Sequence, residues 1–303
     1  MRRLPAFALT SLLAAATAFA ASAEDEAPVE AFAGTLAKVR SSGVVTLAYR
    51  ESSIPFSYAA ARGEPLGYSI ALCRKLVDAM ASEVGRELEI RWLPVTSESR
   101  MEAIVSGAAD LECGSTTSNA ERARRVAFSP TIFVAGTKLL VKRGSAVRSF
   151  RDLRGKTVVV TAGTTNEQTL RDLAKKFSLG DRLVMARDHA DSFAELAAGR
   201  ADAFATDDVL LYGLLAREPA NAAAFEVVGD FLSYDPYGIM YRRGDPQLAR
   251  LVNETFRELA DDGELERQYK QWFLKRLPGG AAMGLPMSAQ LESIFRAMAL
   301  KPE

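Results

Sequence analysis

Short apolar runs rich in valine, leucine and isoleucine alternate with longer amphipathic stretches along almost the whole chain. That alternation marks an α/β protein, because neighbouring parallel strands need a crossover, usually helical, to return the chain across the sheet. Gly43 ends a helix over residues 35–41, and Val44–Tyr49 reads as the first strand. Residues 55–68 have hairpin character, with Gly63 and Pro65 as punctuation, and a helix over 69–84 stops at Gly85. A strand over 88–93, a short helix over 99–106 and a strand over 110–113 follow, and Asn119 is placed to cap a helix carrying Glu121 and Arg122. A second round of the same kind begins at Val158–Thr161 and continues through a helix over 166–177, a strand over 182–186, a helix over 192–198 and a strand over 202–206. Thr137–Lys142 and residues 236–242 flank this second round as extended, partly apolar stretches, and read as crossover strands between two lobes. The expected division is a signal peptide over 1–23, a leader over 24–34, a first lobe from 35–136 and 239–303, and a second lobe over 137–238 inserted within it. Residues 288–300 form an amphipathic pattern suited to pack on the first lobe.

The N-terminus reads as an export address. Arg2 and Arg3 precede an apolar stretch, and Ala21-Ser22-Ala23 is a small-x-small cleavage site, so secretion is expected. No cysteine stands at the cleavage point to take a lipid anchor. Cleavage removes Arg2 and Arg3 and leaves 36 basic against 38 acidic residues, a formal charge of −2. A nearly neutral chain without a basic stripe argues against nucleic acid as a partner. Cys73 and Cys113 suit either a disulfide or two buried thiols in an oxidising compartment.

Polar clusters gather where the apolar strands end: Tyr49-Arg50-Glu51-Ser52-Ser53, Thr96-Ser97-Glu98-Ser99-Arg100, Gly114-Ser115-Thr116-Thr117 with Arg122, Ala162-Gly163-Thr164-Thr165, Asp188-His189 and Thr206-Asp207-Asp208. Turns such as Ser115–Thr117 and Thr164-Thr165 offer backbone N–H groups and hydroxyls to a carboxylate, although serine and threonine also cap helices without further purpose. Arg50, Arg100 and Arg122 supply planar forks that match carboxylates. One carboxylate of the Asp207-Asp208 pair is suited to receive an ammonium group, and the pair is equally suited to cap a helix. Phe56 and Tyr58 suit either the core or the carbon chain of a ligand. His189, the single histidine, has no Cys or second His for zinc ligation, and no nucleophile elbow accompanies it. These features point to capture of a small dianionic amino acid rather than to chemistry, and no cofactor or metal is called for. Three arginines against one aspartate give the site a formal charge of +2, an excess that would select an acidic side chain over its amide.

The strings Arg50-Glu51-Ser52-Ser53-Ile54-Pro55-Phe56-Ser57-Tyr58, Glu112-Cys113-Gly114-Ser115-Thr116-Thr117, Phe128-Ser129-Pro130-Thr131-Ile132-Phe133-Val134, Val158-Val159-Val160-Thr161-Ala162-Gly163-Thr164-Thr165 and Asp188-His189-Ala190-Asp191-Ser192-Phe193 resemble the periplasmic glutamate/aspartate-binding proteins of bacterial ABC importers, within solute-binding family 3. The likeness runs from about Thr35 to Phe273. It implies a type II two-lobe periplasmic-binding-protein fold, each lobe a mixed sheet flanked by helices, with two crossover strands as hinge. It also implies that Arg122 and the turn at Thr165 take the α-carboxylate, and that Ser115, Thr117 and Asp207 take the ammonium. Arg50, Ser97, Arg100 and His189 would then hold the side-chain carboxylate. Ser118 departs from the more familiar Asn at its position. The implied partners are L-glutamate or L-aspartate and the membrane permease subunits, with the receptor acting as a monomer. A dehydratase-like enzyme on the same fold, using Glu98, Asp207 or His189 as acid, and a sensory partner of a membrane receptor are the rival readings.

Overall fold

The computed structural model describes residues 31–59, 63–178 and 182–300. The expected signal peptide and most of the leader lie outside the described residues; Gly34, its last residue, already opens the first helix. In chain order the first part forms α1 (Gly34–Ser42), β1 (Val44–Tyr49), three small strands β2 (Ser52–Ser53), β3 (Ser57–Ala59) and β4 (Pro65–Leu66), and α2 (Tyr68–Val84). It continues as β5 (Glu89–Pro94), α3 (Arg100–Val105), β6 (Leu111–Glu112), β7 (Val126–Phe128) and β8 (Phe133–Ala135). Next come β9 (Thr137–Lys142), β10 (Val158–Thr161), α4 (Thr165–Phe177), β11 (Leu183–Ala186), α5 (His189–Ala197), β12 (Ala203–Asp207), α6 (Asp208–Arg217), α7 (Pro219–Ala222) and β13 (Phe225–Val228). The chain closes with β14 (Asp235–Tyr237), β15 (Met240–Arg242), α8 (Pro246–Asp261), α9 (Glu264–Tyr269) and α10 (Ala289–Ala299).

Two five-stranded mixed sheets result, in the orders β5-β1-β6-β15-β7 and β11-β10-β12-β9-β13. In each, three parallel strands are completed by an antiparallel strand, β15 against β6 in the first and β9 against β12 in the second. The first sheet recruits β15 from beyond the second sheet, so the chain crosses between the lobes twice. Those crossings are β8 and β14, which pair antiparallel with Ala135 opposite Asp235 and Phe133 opposite Tyr237. Thr137–Lys142 is therefore not a crossover, contrary to the sequence reading. It bonds on both edges within the second sheet, and Leu139–Val141 are buried there. Of residues 236–242, the first two complete the crossover and the last three form β15.

An aromatic cluster lies beneath the crossing. Phe56 meets Phe133, Tyr237 and Phe273 edge to face at 5.1–5.6 Å, and Phe273 stacks on Tyr269 at 4.4 Å. Such contacts add about 0.5–1.5 kcal/mol each beyond area burial. Phe56 and Tyr58 are thus core residues. Helix α9 ends at Tyr269 and continues as a π-helical turn over Lys270–Leu274, which turns Phe273 into this cluster. Leu291 and Phe295 of α10 are buried in the same core. Residues expected to form a helix at Glu121–Arg122 make a 3-10 turn, with Asn119 Oδ1 accepting from the Arg122 N–H. No helix among the described residues is long and apolar enough to cross a membrane.

Cys73 of α2 and Cys113 just after β6 form a disulfide, both fully buried. Sequence spacing left this open because the pairing depends on α2 lying over the end of β6. The bridge closes a separation of 40 residues, for which chain entropy predicts about 4 kcal/mol of stabilisation. Cys73→Ala/Cys113→Ala should lower the unfolding free energy by about 2–4 kcal/mol in urea titration. A loss below 0.5 kcal/mol would show that the loop is already constrained in the unfolded chain.

Candidate functional site

Every candidate cluster follows the carboxyl end of a parallel strand: β1, β5 and β6 in the first sheet, β10, β11 and β12 in the second. In α/β sheets these ends leave loops and helix N-termini free to bind ligands. The two carboxyl edges face each other closely. A Cβ at Gly163, whose φ is +74°, would overlap the Glu98 backbone. Seven of the nine expected residues (Ser97, Arg100, Ser115, Thr117, Thr165, His189 and Asp207) line one interior cavity of about 10 Å³, room for about one water.

Positive charge collects at one end. Arg50 is buried, and both its Nη atoms lack a hydrogen-bond partner. Arg100 donates through Nη1 to Thr116 Oγ1 at 2.7 Å, while its Nε is unpartnered. Thr116 in turn donates to Glu112 Oε2 at 2.7 Å, so a buried carboxylate steadies Arg100 through one hydroxyl. A Cβ at Gly114 would displace Glu112 Oε1 and press on the Arg50 stem. Burial, then the charge of Arg100, pulls Arg50 down to about 9, and burial lowers Arg100 as well. The hydroxyls of Ser97 and Ser115 are also buried and unpartnered. Unpartnered buried charges and donors are costly, so this end is built for an anion.

His189 opens α5 behind the Asp188 cap. Its Nδ1 lies 2.8 Å from Thr161 Oγ1, which lies 2.8 Å from Ser192 Oγ. Ser192 gives its hydrogen to the Asp188 carbonyl, so Thr161 must give its own to Ser192. His189 Nδ1–H is therefore the donor to Thr161, and Nε2 is left for the cavity. The pair is not a base activating a nucleophile. Burial, then Arg50 and Arg100, hold the imidazole well below its usual range.

Carboxylates collect at the other end. Asp207 sits at the start of α6 but makes no capping bond; its Oδ1 accepts from Asn166 Nδ2 at 2.7 Å and its Oδ2 from the Tyr237 hydroxyl. Burial, then the charge of Asp235, pushes Asp207 up to about 7 against those hydrogen bonds. Asp235, on β14, accepts from Thr117 Oγ1 at 3.1 Å and Thr165 Oγ1 at 3.0 Å. Thr164, not Thr165, caps α4. Arg122 lies outside the small cavity, in an adjoining cleft of about 530 Å³ that shares Thr117, Thr164 and Thr165 with it. Its Nη1 donates to the Thr117 carbonyl at 2.9 Å, and burial, then Arg100, lowers it to about 10.

The sequence reading missed Glu112, Asp235, Asn166 and Tyr237. With Glu112 buried near all three arginines and Asp235 near Arg122, these six groups sum to a formal charge of zero rather than +2. Any preference for an acidic side chain must come from the separation of the two poles, not from an overall positive excess. Among the described residues no cluster of His, Cys, Asp and Glu is arranged to hold a metal ion.

Residues 45–275 match the bacterial extracellular solute-binding proteins, family 3. The chain is 40% identical over 281 residues to the glutamate/aspartate import solute-binding protein of Salmonella typhimurium (strain LT2), covering 91% of each chain. It is 39% identical over 298 residues to the protein of the same description from Escherichia coli (strain K12), covering 97% of this chain and 96% of that one. Its fold is similar to that of an ancestral amino-acid-binding protein, a precursor of cyclohexadienyl dehydratase, with a TM-score of 0.67 and 30% identity over 79% of this chain and 99% of that one.

The raised Asp207 has a consequence for stability. Its folded pKa of about 7 lies above the unfolded value, so the folded protein gains from the neutral acid at low pH and loses that gain as pH rises from about 4 to 7. Between pH 4 and 8 the wild type should lose about 2–4 kcal/mol of unfolding free energy relative to Asp207→Asn. Parallel pH profiles in chemical denaturation would place Asp207 near its ordinary range.

Proposed function

The chain belongs to the bacterial extracellular solute-binding proteins, family 3, and from that premise we propose that it is an exported periplasmic receptor, acting as a monomer, that captures L-glutamate or L-aspartate between its lobes and delivers it to the permease of an ABC importer. The observation that carries the acidic ligand is the Arg50 guanidinium, buried with both Nη atoms unpartnered, beside the unpartnered Arg100 Nε. A ligand carboxylate supplies the acceptors these groups lack; an amide presents an additional donor to the same forks.

In this reading Arg50, Ser97, Arg100 and His189 hold the side-chain carboxylate. Arg122 and the backbone at Thr165 hold the α-carboxylate, and Ser115, Thr117 and Asp207 receive the ammonium. A cavity of about 10 Å³ does not hold an amino acid, so the lobes part about the β8–β14 crossing to admit one and close on it. The first lobe comprises 35–136 and 239–303, with 137–238 as the second. In this reading the ligand leaves unchanged; His189 donates at Nδ1 to Thr161 and does not act as a base toward that hydroxyl.

Calorimetric titration of the mature protein, freed of copurified ligand, tests this. Glutamate and aspartate should bind one to one, with little heat from glutamine or asparagine. Silence toward all four would sink the receptor reading, and preference for an amide would remove Arg50 and Arg100 from the side-chain pocket. Arg100→Ala should weaken the acids by roughly 3–5 kcal/mol, whereas less than a tenfold loss would exclude it as a ligand contact.

Protonation gives a further check. A side-chain carboxylate beside Nε2 counters the two arginines that depress His189, so an acidic ligand should bind with proton uptake. Its affinity should then be highest below the free-state pKa and fall as pH rises toward the bound-state pKa. Titrations at pH 6.5 in buffers of differing ionisation enthalpy should show more protons taken up with glutamate than with glutamine. Equal numbers would mean that His189 stays neutral.

A further inference from the structure

Asp235 is the convergence point of three hydroxyl groups. Thr117 and Thr165 approach Oδ1, and Ser233 donates to Oδ2. A carboxylate oxygen only accepts, so the last bond has one direction and sets those of its neighbours. Asn166 Nδ2 donates to Thr137 Oγ1 at 2.7 Å, and Thr137 Oγ1 lies 2.7 Å from Ser233 Oγ. Ser233 spends its hydrogen on Asp235, so Thr137 donates to Ser233. Asp235 is thus held as an acceptor on both oxygens.

Each threonine hydroxyl has one hydrogen. Thr117 Oγ1 and Thr165 Oγ1 lie 3.3 Å apart, so either donates to Asp235 directly or through the other. In every such arrangement both hydrogens are spent within the cluster. What remains toward the cavity and the outer cleft, both of which these two residues line, is lone pairs. The backbone fixes the arrangement: Thr117 bridges to Tyr237, and the Ser118 N–H donates to the Pro236 carbonyl at 2.7 Å.

We propose that Asp235 is a specificity-determining positioning residue: by taking their hydrogens it turns Thr117 and Thr165 into acceptors, so that this wall accepts a ligand ammonium and turns a carboxylate away. The inference rests on the amino-acid receptor reading above and adds that the discrimination between an amino acid and the corresponding plain dicarboxylate is set from the crossover strand. Asp207 then does not act alone, and the α-carboxylate must go to Arg122 and backbone N–H groups rather than to the threonine hydroxyls.

The test compares glutamate with glutarate, the same dicarboxylate without its amino group, on the wild type and Asp235→Asn. The amide offers donors to the cluster and frees hydroxyl hydrogens. Glutamate affinity should fall by about tenfold or more and glutarate affinity by less than about threefold, narrowing the ratio between them. Equal losses, or no loss, overturn the role of Asp235 while leaving the receptor reading intact. A wild type that binds no acidic amino acid overturns both. If Asp235→Asn does not fold, Thr117→Val removes an acceptor while keeping Asp235: it should lose glutamate selectively, with Thr117→Ser restoring it. Equal losses of both ligands in Thr117→Val likewise overturn the proposal.

Discussion

The guanidinium groups of Arg50 and Arg100 are buried at the carboxyl edge of the first sheet with three of their nitrogens unpartnered, and the neighbouring structure is arranged around keeping them charged. A lone buried cation is strongly penalised. Glu112 offsets part of that penalty through Thr116, and Gly114 lets Glu112 and the Arg50 stem approach without a side chain between them. Glu112 Oε1 is itself unpartnered and makes no ion pair within 4 Å with either arginine. The compensation is therefore electrostatic and incomplete, which leaves the forks free for an incoming anion.

The opposite pole is built on the crossing between the lobes. Tyr237 is part of the aromatic cluster through Phe56 and reaches Asp207 with its hydroxyl. Asp235, two residues earlier on the same strand, gathers Thr117 from one lobe and Thr165 from the other. The two carboxylates are linked through Asn166, Thr137 and Ser233, each bond having a direction fixed by the next. A site with zero formal charge can in this way distinguish ends of a ligand. The field runs between poles set by different strands, and hydroxyl polarity decides which end is accepted where.

Much of this was legible because function in such a fold gathers at strand ends, and strand ends are marked by where apolar runs stop. Arg50, Arg100, His189 and the Asp207-Asp208 pair stand out on that signal, and the resemblance supplies their separate roles. Glu112 does not, because a carboxylate at the end of a strand as short as Leu111–Glu112 looks the same whether it faces solvent or an arginine. Asp235 was hidden for a similar reason: it precedes a proline on a short extended segment, a common surface arrangement. The crossover was misplaced by a few residues because β8 and β9 are both apolar and extended, with only Gly136 between them. What separates them is pairing: β8 bonds to β14, while β9 is bonded on both edges within its own sheet. Pairing of distant segments, like the Cys73–Cys113 bridge, is absent from local pattern.

Selectivity and closure follow from the same constraint. On the proposed division Arg50 and Arg100 belong to the first lobe and His189, Thr165 and Asp207 to the second, so the proposed set of ligand partners would be complete only when the edges meet. A ligand shifts the balance between open and closed forms only by the difference in its affinity for the two. On the proposed assignment, a dicarboxylic amino acid would gain contacts from the second lobe on closing and satisfy buried donors that closure would otherwise strand. An amide of the same length would offer one acceptor and one donor to the same groups, so closing around it would satisfy fewer of the Arg50 and Arg100 donors and leave their charge uncompensated. Discrimination is then expressed less in the first encounter with one lobe than in how firmly the second lobe closes.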